Sequence, residues 1–351
     1  MKFKLGSKTI DTSKQPYFIA EIGVNYENNL IRAKKIIKLA KEGGADAVKF
    51  QSYKAEKIAC KKSPYYWDLN KVPVKSQYEL FKKFDKFGYE EFKILKKYCD
   101  KLNIDFLSTP FDLEAVDYLD ELVPFFKIAS ADLNNYPLIE RICNKNKTII
   151  LSTGASDISE IKKTIKFIEN KNNKILVIIL HCVLSYPTIN SDAHLELIKV
   201  LKENFSKNII GYSDHTLPDQ NMIILTSAYL NGACVIEKHF TDTKGLKGND
   251  HFHSSDKNDL LKFRSNIKII NSTNKNLKKR KILQCEKISR KNARRSIVTS
   301  KNIKKGEIIT SDKLIMKRPG TGLGPEQLNY VLNKKAKRNL AEDTIIKKSD
   351  I

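Results

Sequence analysis

The sequence lacks any run of about 18 apolar residues, the length that a helix needs to cross a bilayer, so no membrane span is expected. The first residues, MKFKLGSKTIDTSK, are polar and contain no apolar core of the kind that a secretory signal has. We therefore expect a cytoplasmic protein that does not associate with membranes.

None of the six cysteines is spaced as C-x-x-C. That spacing is typical of zinc sites and redox motifs, and disulfides form mainly in exported proteins. The cysteines are therefore predicted to be reduced, buried thiols and not disulfides or zinc ligands.

Arginine is scarce, because only nine of the 64 basic residues are arginines. The formal charge of +24 raises the question of nucleic-acid binding. However, the lysines are spread along the whole chain, with no dominant basic tail and no basic segment interleaved with aromatic residues. We expect a solvated lysine surface that attracts anionic substrates, not a nucleic-acid interface.

No glycine-rich phosphate fingerprint follows the first apolar run, which argues against an open doubly wound sheet. Instead, short β-prone runs alternate with amphipathic stretches along the chain. The predicted strands are residues 17–21, 47–50, 104–108, 125–128, 148–151, 175–180, 209–212 and 233–238. The predicted helices are residues 30–41, 90–102, 113–121, 137–144, 158–169, 193–203, 219–231 and 257–270. Eight such units favour an α/β fold of the (β/α)₈ or TIM-barrel type, with the open sheet as the alternative.

The pattern changes after residue 270, where the polar segment NSTNKNLKKRK is typical of a linker. Short β-prone runs follow, and a helix-period stretch covers residues 325–333. We predict a TIM-barrel domain over 1–270, a linker over 271–290 and a small β-rich domain over 291–351. The long loop at about 52–85 is predicted to be functional, as a lid or a dimer contact.

The active site of a TIM barrel lies at the C-terminal ends of its strands, and every predicted strand here ends in polar groups. Lysine, serine and threonine side chains that converge there suit a phosphorylated anion. His215 and His239 end adjacent strands and can share a divalent metal. Glu21 and Glu237 are candidate acid–base or sugar-holding carboxylates. These residues predict a metal-assisted reaction on a phosphorylated substrate.

Each of these residues also has a structural explanation. Lysine and glutamate at strand ends often form ion pairs within the barrel mouth, and Asp214 with His215 can be a structural pair. The H-x-H motif of His251 and His253 is a weak metal signal by itself. We interpret it as part of a loop that touches the substrate.

Several segments, taken in chain order, resemble the bacterial sialic acid synthases. They are FIAEIGVNYENNLIRAKKIIKLAKEGGADAVKFQ, FLSTPFD, FFKIASADLNNYPLI, ILSTGAS, LHCVLSYPT, IIGYSDHT and ACVIEKHFT. The segment SIVTSKNIKKGEIITSDKLIMKRPGTG is similar to the antifreeze-protein-like (SAF) domain of that family. The resemblance extends from about residue 16 to 345 and includes both predicted domains.

The resemblance implies a domain-swapped homodimer that condenses phosphoenolpyruvate with an N-acetylated amino sugar, forming a carbon–carbon bond and releasing phosphate. It implies Mn²⁺ or Mg²⁺ bound by His215 and His239. The residues implied to cradle phosphoenolpyruvate are Lys49, Thr109, Lys127, Ser130, Ser152 and Ser213. Those implied to orient the sugar and the attacking water are Glu21, Gln51, Tyr186, Glu237 and Asp250. Among all of these, the expected catalytic residues are Glu21, Lys49, Glu237 and Asp250. Arg318, in KRPG, is implied to reach the sugar's N-acetyl group from the partner's SAF domain.

Three positions depart from the family pattern. Leu184 stands where asparagine is common, with Ser185 as a possible replacement contact, and Tyr26 stands where histidine is common. The segment KGNDHFHSSD replaces the usual GPDH. These positions affect which sugar the protein accepts more than which reaction it catalyses. The expected sugar is N-acetylmannosamine or a diacetamido-trideoxy hexose. The alternatives are a related 2-keto sugar acid synthase with a phosphorylated acceptor, or a non-catalytic carbohydrate-binding homologue.

Overall fold

The computed structural model describes residues 2–11, 14–248, 250–274 and 279–351. The chain divides into two compact units, Met1–Asn274 and Lys275–Ile351. This division falls within the predicted linker 271–290, of which residues 275–278 lie outside the described residues. No helix in the described ranges is long and apolar enough to cross a membrane.

An antiparallel hairpin of β1 (Lys2–Leu5) and β2 (Lys8–Asp11) opens the first unit. The backbone N–H of Ser7, in its turn, donates to the carboxylate of Asp105 at 3.1 Å. Asp105 is the first residue of a barrel strand, so the hairpin lies at the N-terminal end of the barrel. The sequence did not predict this hairpin, because its two strands are short and largely polar.

Eight parallel strands form the barrel of the first unit. They are β3 (Tyr17–Gly23), β4 (Ala47–Ser52), β5 (Asp105–Pro110), β6 (Phe126–Ile128), β7 (Ile149–Ser152), β8 (Val177–Cys182), β9 (Ile209–Asp214) and β10 (Val235–His239). The first of these strands pairs with the last, and the order around the sheet is β5-β4-β3-β10-β9-β8-β7-β6. An open doubly wound sheet does not join its first and last strands in this way, so the TIM-type prediction is confirmed. β5 and β6 pack side by side and nearly close the barrel.

Within the described part of the first unit, ten α-helices connect the strands and follow the last one. They are α1 (Leu30–Gly43), α2 (Ala55–Ile58), α3 (Gln77–Lys82), α4 (Tyr89–Leu102), α5 (Leu113–Leu119), α6 (Tyr136–Cys143), α7 (Ile158–Lys171), α8 (Leu197–Asn204), α9 (Ile223–Leu230) and α10 (Lys257–Thr273). Local sequence sets their ends. For example, the Asn29 side chain caps the start of α1, and Gly44 ends it with φ +93°.

Two helices begin four residues later than the sequence predicted. Residue 194 has φ +40°, which is incompatible with an α-helix, so α8 starts only at Leu197. The carboxylate of Asp219 accepts hydrogen bonds from the backbone N–H groups of Ile223 and Ile224 at 2.8 and 3.3 Å. Asp219 therefore precedes α9 as a capping residue and is not part of the helix.

The second unit contains α11 (Glu286–Ala293), an antiparallel pair of β11 (Ser296–Thr299) and β12 (Leu314–Lys317), and α12 (Leu328–Val331). Over residues 279–351 its small core consists of nine buried apolar side chains, among them Ile297, Ile309 and Ile346. The predicted helix-period stretch 325–333 is a 3₁₀ turn at Pro325–Gln327 followed by α12. α11 begins within the predicted linker, whose bounds remain a prediction.

Candidate active site

Alternate residues of the barrel strands point into the barrel, and the parallel register decides which of them meet. Glu21 of β3 is in register with Lys49 of β4 on one side and with His239 of β10 on the other. Ser213 of β9 is likewise in register with Glu237 of β10. Polar side chains from neighbouring strands therefore converge at the C-terminal mouth of the barrel.

Two lysines and two glutamates form a buried cluster there. Lys49 Nζ lies 2.6 Å from Glu21 Oε2 and 3.8 Å from Glu237 Oε2. Lys127 Nζ lies 3.5 Å from Glu237 Oε1. All four side chains are almost fully buried. The cluster thus brings together residues from four strands that the sequence placed at separate strand ends.

The two carboxyl groups have different electrostatic surroundings. Burial raises the pKa of Glu21 above its ordinary value, Lys49 opposes that rise, and Glu237 adds to it. Burial acts in the same direction on Glu237, but Lys127 and Lys49 outweigh it and lower the pKa of Glu237 to about 2. Glu237 is therefore held ionised, while Glu21 is the better proton acceptor of the pair.

Hydroxyl and amide groups surround this cluster. The hydroxyl of Thr109 accepts from Lys49 Nζ at 2.9 Å, and Gln51 Nε2 donates to Glu21 Oε1 at 3.1 Å. Ser213 Oγ donates to Glu237 Oε1 at 3.0 Å. The hydroxyl of Ser152 is buried and has no hydrogen-bond partner within the described residues. A buried hydroxyl of this kind is available to a ligand.

Two other polar residues at the strand ends, Asp214 and Lys238, form an ion pair with each other and do not face the cluster. Lys238 Nζ lies 2.5 Å from Asp214 Oδ2, and both side chains are about 1% exposed. Asp214 also accepts from the hydroxyl of Tyr212 at 2.8 Å. Because Asp214 and Lys238 alternate with the inward-facing Ser213 and Glu237, they lie on the outer face of the barrel. Asp214 is therefore a structural residue, but its partner is Lys238 and not His215, the partner considered from the sequence.

Histidines and an aspartate gather beside the cluster. Ligand atoms of His239, Asp250 and His253 all lie within 4.8 Å of one another. His239 Nδ1 is 3.1 Å from Asp250 Oδ2. Burial tends to raise the pKa of Asp250, but His239 reverses the effect and holds that pKa well below its usual range. Two imidazoles and an ionised carboxylate are a donor set that fits a divalent transition metal.

His215 lies next to this group without being part of it. The ring centres of His215 and His239 are 5.5 Å apart. His215 Nδ1 donates to the carbonyl of Val183 at 2.8 Å, which leaves Nε2 for a ligand. Tyr186 packs against His215 with ring centres 4.2 Å apart and the ring planes tilted by 44°. The metal role of His215 stays a prediction.

The long loop between β4 and α4 reaches this mouth. Its Tyr66 ring lies 6.5 Å from the ring of Tyr186, and Lys71 Nζ lies 5.9 Å from the ring centre of Phe252. The loop contains the two short helices α2 and α3, which the sequence did not predict. It places aromatic side chains beside the predicted sugar site.

The comparisons with known proteins agree with this geometry. The model of the NeuB family matches residues 36–279, which is more than half of the chain. The chain belongs to the NeuB family. The SAF domain model matches residues 294–351, so both parts of the predicted resemblance are confirmed.

Three relatives illustrate this NeuB-family membership. An uncharacterised protein of Methanocaldococcus jannaschii is 42% identical, over 100% of this chain and 98% of the relative. The N,N'-diacetyllegionaminic acid synthase of Campylobacter jejuni is 38% identical, over 95% of this chain and 99% of the relative. The structure of the N-acetylneuraminic acid (sialic acid) synthetase of Leptospira borgpetersenii is similar with TM-score 0.70 and 32% identity, covering 82% of this chain and 95% of that one.

The structure shows the surroundings of two residues, Leu184 and Tyr26, at which this chain departs from the common NeuB-family pattern. Leu184 packs over Gly154, where a Cβ would lie 3.1 Å from the backbone nitrogen of Leu184. Ser185, the suggested replacement contact, has an exposed side chain whose hydroxyl donates to the carbonyl of Pro187 at 3.3 Å. Tyr26 is buried against Phe50, with ring centres 5.4 Å apart, and is thus a core residue.

The remaining predicted site residues lie in two places. Ser130 follows β6, and its hydroxyl accepts from the backbone N–H of Gly154 at 2.9 Å. It therefore lies at the barrel mouth, where it fixes the loop after β7. Arg318 follows β12 in the second unit of this NeuB-family chain, and its side chain is exposed.

Sequence reasoning missed the association of His253 with His239 and Asp250. The H-x-H motif was visible, but its spacing alone did not show which histidine faces the site. The position of His253 is set by the serines that follow it, because Ser255 N–H donates to the carbonyl of His239 at 2.7 Å. That bond returns the segment to the end of β10.

Proposed function

We propose that this protein condenses phosphoenolpyruvate with the open-chain form of an N-acetylated hexosamine and water, giving a nonulosonic acid and phosphate. It is thus a carbon–carbon bond-forming transferase. The observation that carries the proposal is the buried cluster of Lys49, Lys127, Glu21 and Glu237 beside a histidine-rich group, in a chain of the NeuB family.

The lysines are the proposed anion-binding groups. Lys49 and Lys127 enter the mouth from neighbouring regions of the barrel and are surrounded by hydroxyl donors. We assign the phosphate and carboxylate of phosphoenolpyruvate to these lysines together with Thr109, Ser130, Ser152 and Ser213. Ammonium and hydroxyl donors neutralise and orient such an anion.

Charge balance supports a metal requirement. The two lysines are matched by the two glutamates, so the cluster itself has little charge left for a highly charged anion. A divalent ion, Mn²⁺ or Mg²⁺, held by His215 and His239 supplies positive charge and polarises the sugar's aldehyde when it is bound. The buried histidines and Asp250 fit such an ion.

The glutamates are proposed to act on the reacting carbon and on the sugar. Carbon 3 of phosphoenolpyruvate forms a bond with the aldehyde carbon, which leaves positive charge at carbon 2. Glu21 stabilises that charge, and water adds to carbon 2 while one of its protons goes to the former aldehyde oxygen. Its second proton is lost as the C–O bond breaks, which leaves a keto group at carbon 2 and releases phosphate. Gln51 orients Glu21 through its 3.1 Å hydrogen bond. Glu237, Asp250 and Tyr186 orient the sugar and the water, and proximity makes the step effectively unimolecular.

The acceptor is proposed to be a 2,4-diacetamido-trideoxy hexose, which would make the product a legionaminate-type acid. The support is the 38% identity with the legionaminic acid synthase and the aromatic lining of Tyr66, Tyr186 and Phe252. Aromatic faces pack well against the methyl groups that deoxygenation and acetylation provide. N-acetylmannosamine is the competing acceptor.

The second unit is proposed to complete the sugar site of a partner subunit. In this proposal the protein is a domain-swapped homodimer, with the barrel over 1–270, the linker over 271–290 and the SAF domain over 291–351. The exposed guanidinium of Arg318 would bind the sugar's N-acetyl oxygen across the dimer. Its exposure leaves it available for such a contact.

The experiment measures phosphate release from phosphoenolpyruvate with Mn²⁺ and each sugar, and identifies the product by mass spectrometry. The proposal expects a nonulosonic acid, with the higher kcat/KM for the diacetamido sugar. A higher kcat/KM for N-acetylmannosamine would assign the competing acceptor. The proposal would be contradicted if neither sugar led to phosphate release and a phosphorylated acceptor sugar did.

A further inference from the structure

We propose that His253 joins His215 and His239 as a third protein ligand of the divalent metal, within reach of Asp250, and makes the site selective for Mn²⁺ over Mg²⁺. The inference rests on the proposed function for its metal. It concerns this chain's own loop after β10, which contains the segment HFHSS at residues 251–255.

The imidazole ring of His253 is buried without hydrogen-bond partners among the described residues. The side chain of His253 is 0% exposed, yet neither of its ring nitrogens has a hydrogen-bond partner among the described residues. Burying an imidazole without a partner is unfavourable, so such groups in folded proteins usually bind a ligand, an ion or water. His253 therefore needs a ligand within the site.

The second observation is the spacing of the ligand atoms. His239 Nδ1 is 3.1 Å from Asp250 Oδ2, and His253 Nε2 is 4.0 Å from Asp250 Oδ1. With metal–ligand bonds of 2.0–2.1 Å, neighbouring ligands of an octahedral ion are about 3 Å apart and opposite ones about 4.2 Å apart. All three residues offer atoms within 4.8 Å of one another, so one ion can reach them after small side-chain shifts.

The backbone holds His253 in this position in advance. Ser255 N–H donates to the carbonyl of His239 at 2.7 Å, and Thr241 N–H donates to the carbonyl of Ser255 at 2.9 Å. Asn25 Nδ2 also donates to the hydroxyl of Ser254 at 3.0 Å. The segment is thereby fixed to β10, and the His253 ring is placed 4.7 Å from the ring of His239.

The donor set decides the metal preference. Imidazole nitrogen binds Mn²⁺ and later transition ions better than Mg²⁺, which prefers oxygen ligands and retains its waters. Each additional histidine therefore raises the affinity for Mn²⁺ more than the affinity for Mg²⁺. Removal of His253 should shift the preference in the opposite direction.

His251 provides a matched control in the same segment. Its Nδ1 lies 2.7 Å from Thr241 Oγ1, and its Nε2 lies 3.5 Å from Glu27 Oε1. Both nitrogens thus face groups outside the proposed metal site. His251 is as buried as His253, so substituting it tests for a general effect of disturbing the loop.

The test is isothermal titration of the metal-free full-length chain with MnCl₂ and, separately, with MgCl₂, in the absence of substrates. His253→Ala and His253→Gln should each weaken Mn²⁺ binding at least about tenfold and Mg²⁺ binding much less. His251→Ala should retain the wild-type affinities. Circular dichroism and the melting temperature of each variant identify any that are unfolded, and the glutamine variant preserves polarity if alanine destabilises the loop.

Unchanged Mn²⁺ affinity in folded His253 variants would overturn the inference, and a raised sugar KM there would make His253 a sugar contact instead. Equal losses of Mn²⁺ and Mg²⁺ affinity, or the same loss in His251→Ala, would also overturn it. Because no substrate is present, failure of the proposed reaction would leave these binding results unaffected. The two claims therefore fail separately.

Discussion

Lys49 Nζ lies 2.6 Å from Glu21 Oε2 at the mouth of the barrel, and both side chains are almost completely buried. Adjacent strands bring the two residues together in register. A buried ion pair whose members also face other charged groups adds little to stability by itself. Its position at the C-terminal end of the strands points to a role in binding and chemistry.

Glu21→Gln should lower kcat about 10²- to 10³-fold, because an amide cannot stabilise positive charge at carbon 2 of phosphoenolpyruvate. The KM for phosphoenolpyruvate should change much less. Steady-state phosphate release measures both constants. Glu196→Gln is the control, since Glu196 is 77% exposed and forms only a surface ion pair with Lys199. A Glu21→Gln enzyme with normal kcat would refute the assigned role.

Lys127→Met should raise the KM for phosphoenolpyruvate at least about tenfold, because a buried ammonium that faces the anion is lost. The variant also leaves Glu237 with one lysine fewer. Titration of phosphoenolpyruvate against initial rate measures the effect. Lys96→Met removes a lysine of the same charge from the surface of α4, where it pairs with Asp100. Its KM should match the wild type, and an equal rise there would mean a non-specific charge effect.

Arg318→Ala should raise the KM for the sugar while leaving the KM for phosphoenolpyruvate unchanged. Lys317→Ala is the neighbouring control, since Lys317 forms an exposed ion pair with Asp343. Co-expression with Lys49→Met subunits then tests the swap. In hybrid dimers an intact barrel would receive Arg318 from the Lys49→Met partner, so the wild-type sugar KM should return. If the KM remains high in the hybrids, Arg318 acts within its own subunit or not at all.

Chelation of divalent ions should abolish product formation, and Mn²⁺ should restore it at lower concentrations than Mg²⁺. The physical reason is that the two imidazoles of His239 and His253 favour the transition ion. Activity after exhaustive dialysis against EDTA, followed by titration with each ion, measures this. Full activity in the chelated protein, with metal content verified as negligible, would contradict a metal-dependent mechanism.

Lys238→Met should destabilise the barrel by about 3–5 kcal/mol, because it leaves the carboxylate of Asp214 buried without its cation. Urea denaturation followed by circular dichroism gives the free energy of unfolding. Lys301→Met removes one member of an exposed pair with Asp312 and should leave the melting temperature nearly unchanged. If Lys238→Met and the wild type had similar free energies of unfolding, the Lys238–Asp214 ion pair would not contribute to the stability of the barrel.

The barrel could be predicted from the sequence because its strands are continuous apolar runs. Ile149–Ser152 and Val177–Cys182, for example, are buried throughout. Parallel strands covered on both faces have this pattern, and the helices between them have a period of 3.6 residues. The polar strand ends then identified the mouth. The convergence of Lys49 and Glu237 required only that the first barrel strand pair with the last, as β3 does with β10.

The rest could not be predicted, because it depends on loop conformation. The helices α2 and α3 are only four and six residues long and carry little periodic signal. The direction of His253 depends on hydrogen bonds such as that of Ser255 to His239, between residues whose spacing has no sequence signature. The capping role of Asp219 and the left-handed backbone at residue 194 are similarly local.

The most direct test of the proposed reaction is the isotopic mass of the phosphate released in H₂¹⁸O, measured with and without the diacetamido sugar. Condensation should release phosphate only when the sugar is present. That phosphate should carry no ¹⁸O, because the C–O bond of phosphoenolpyruvate breaks and the phosphate keeps its bridging oxygen. Phosphate labelled with ¹⁸O, or released equally without any sugar, would show simple hydrolysis at phosphorus and would contradict the condensation.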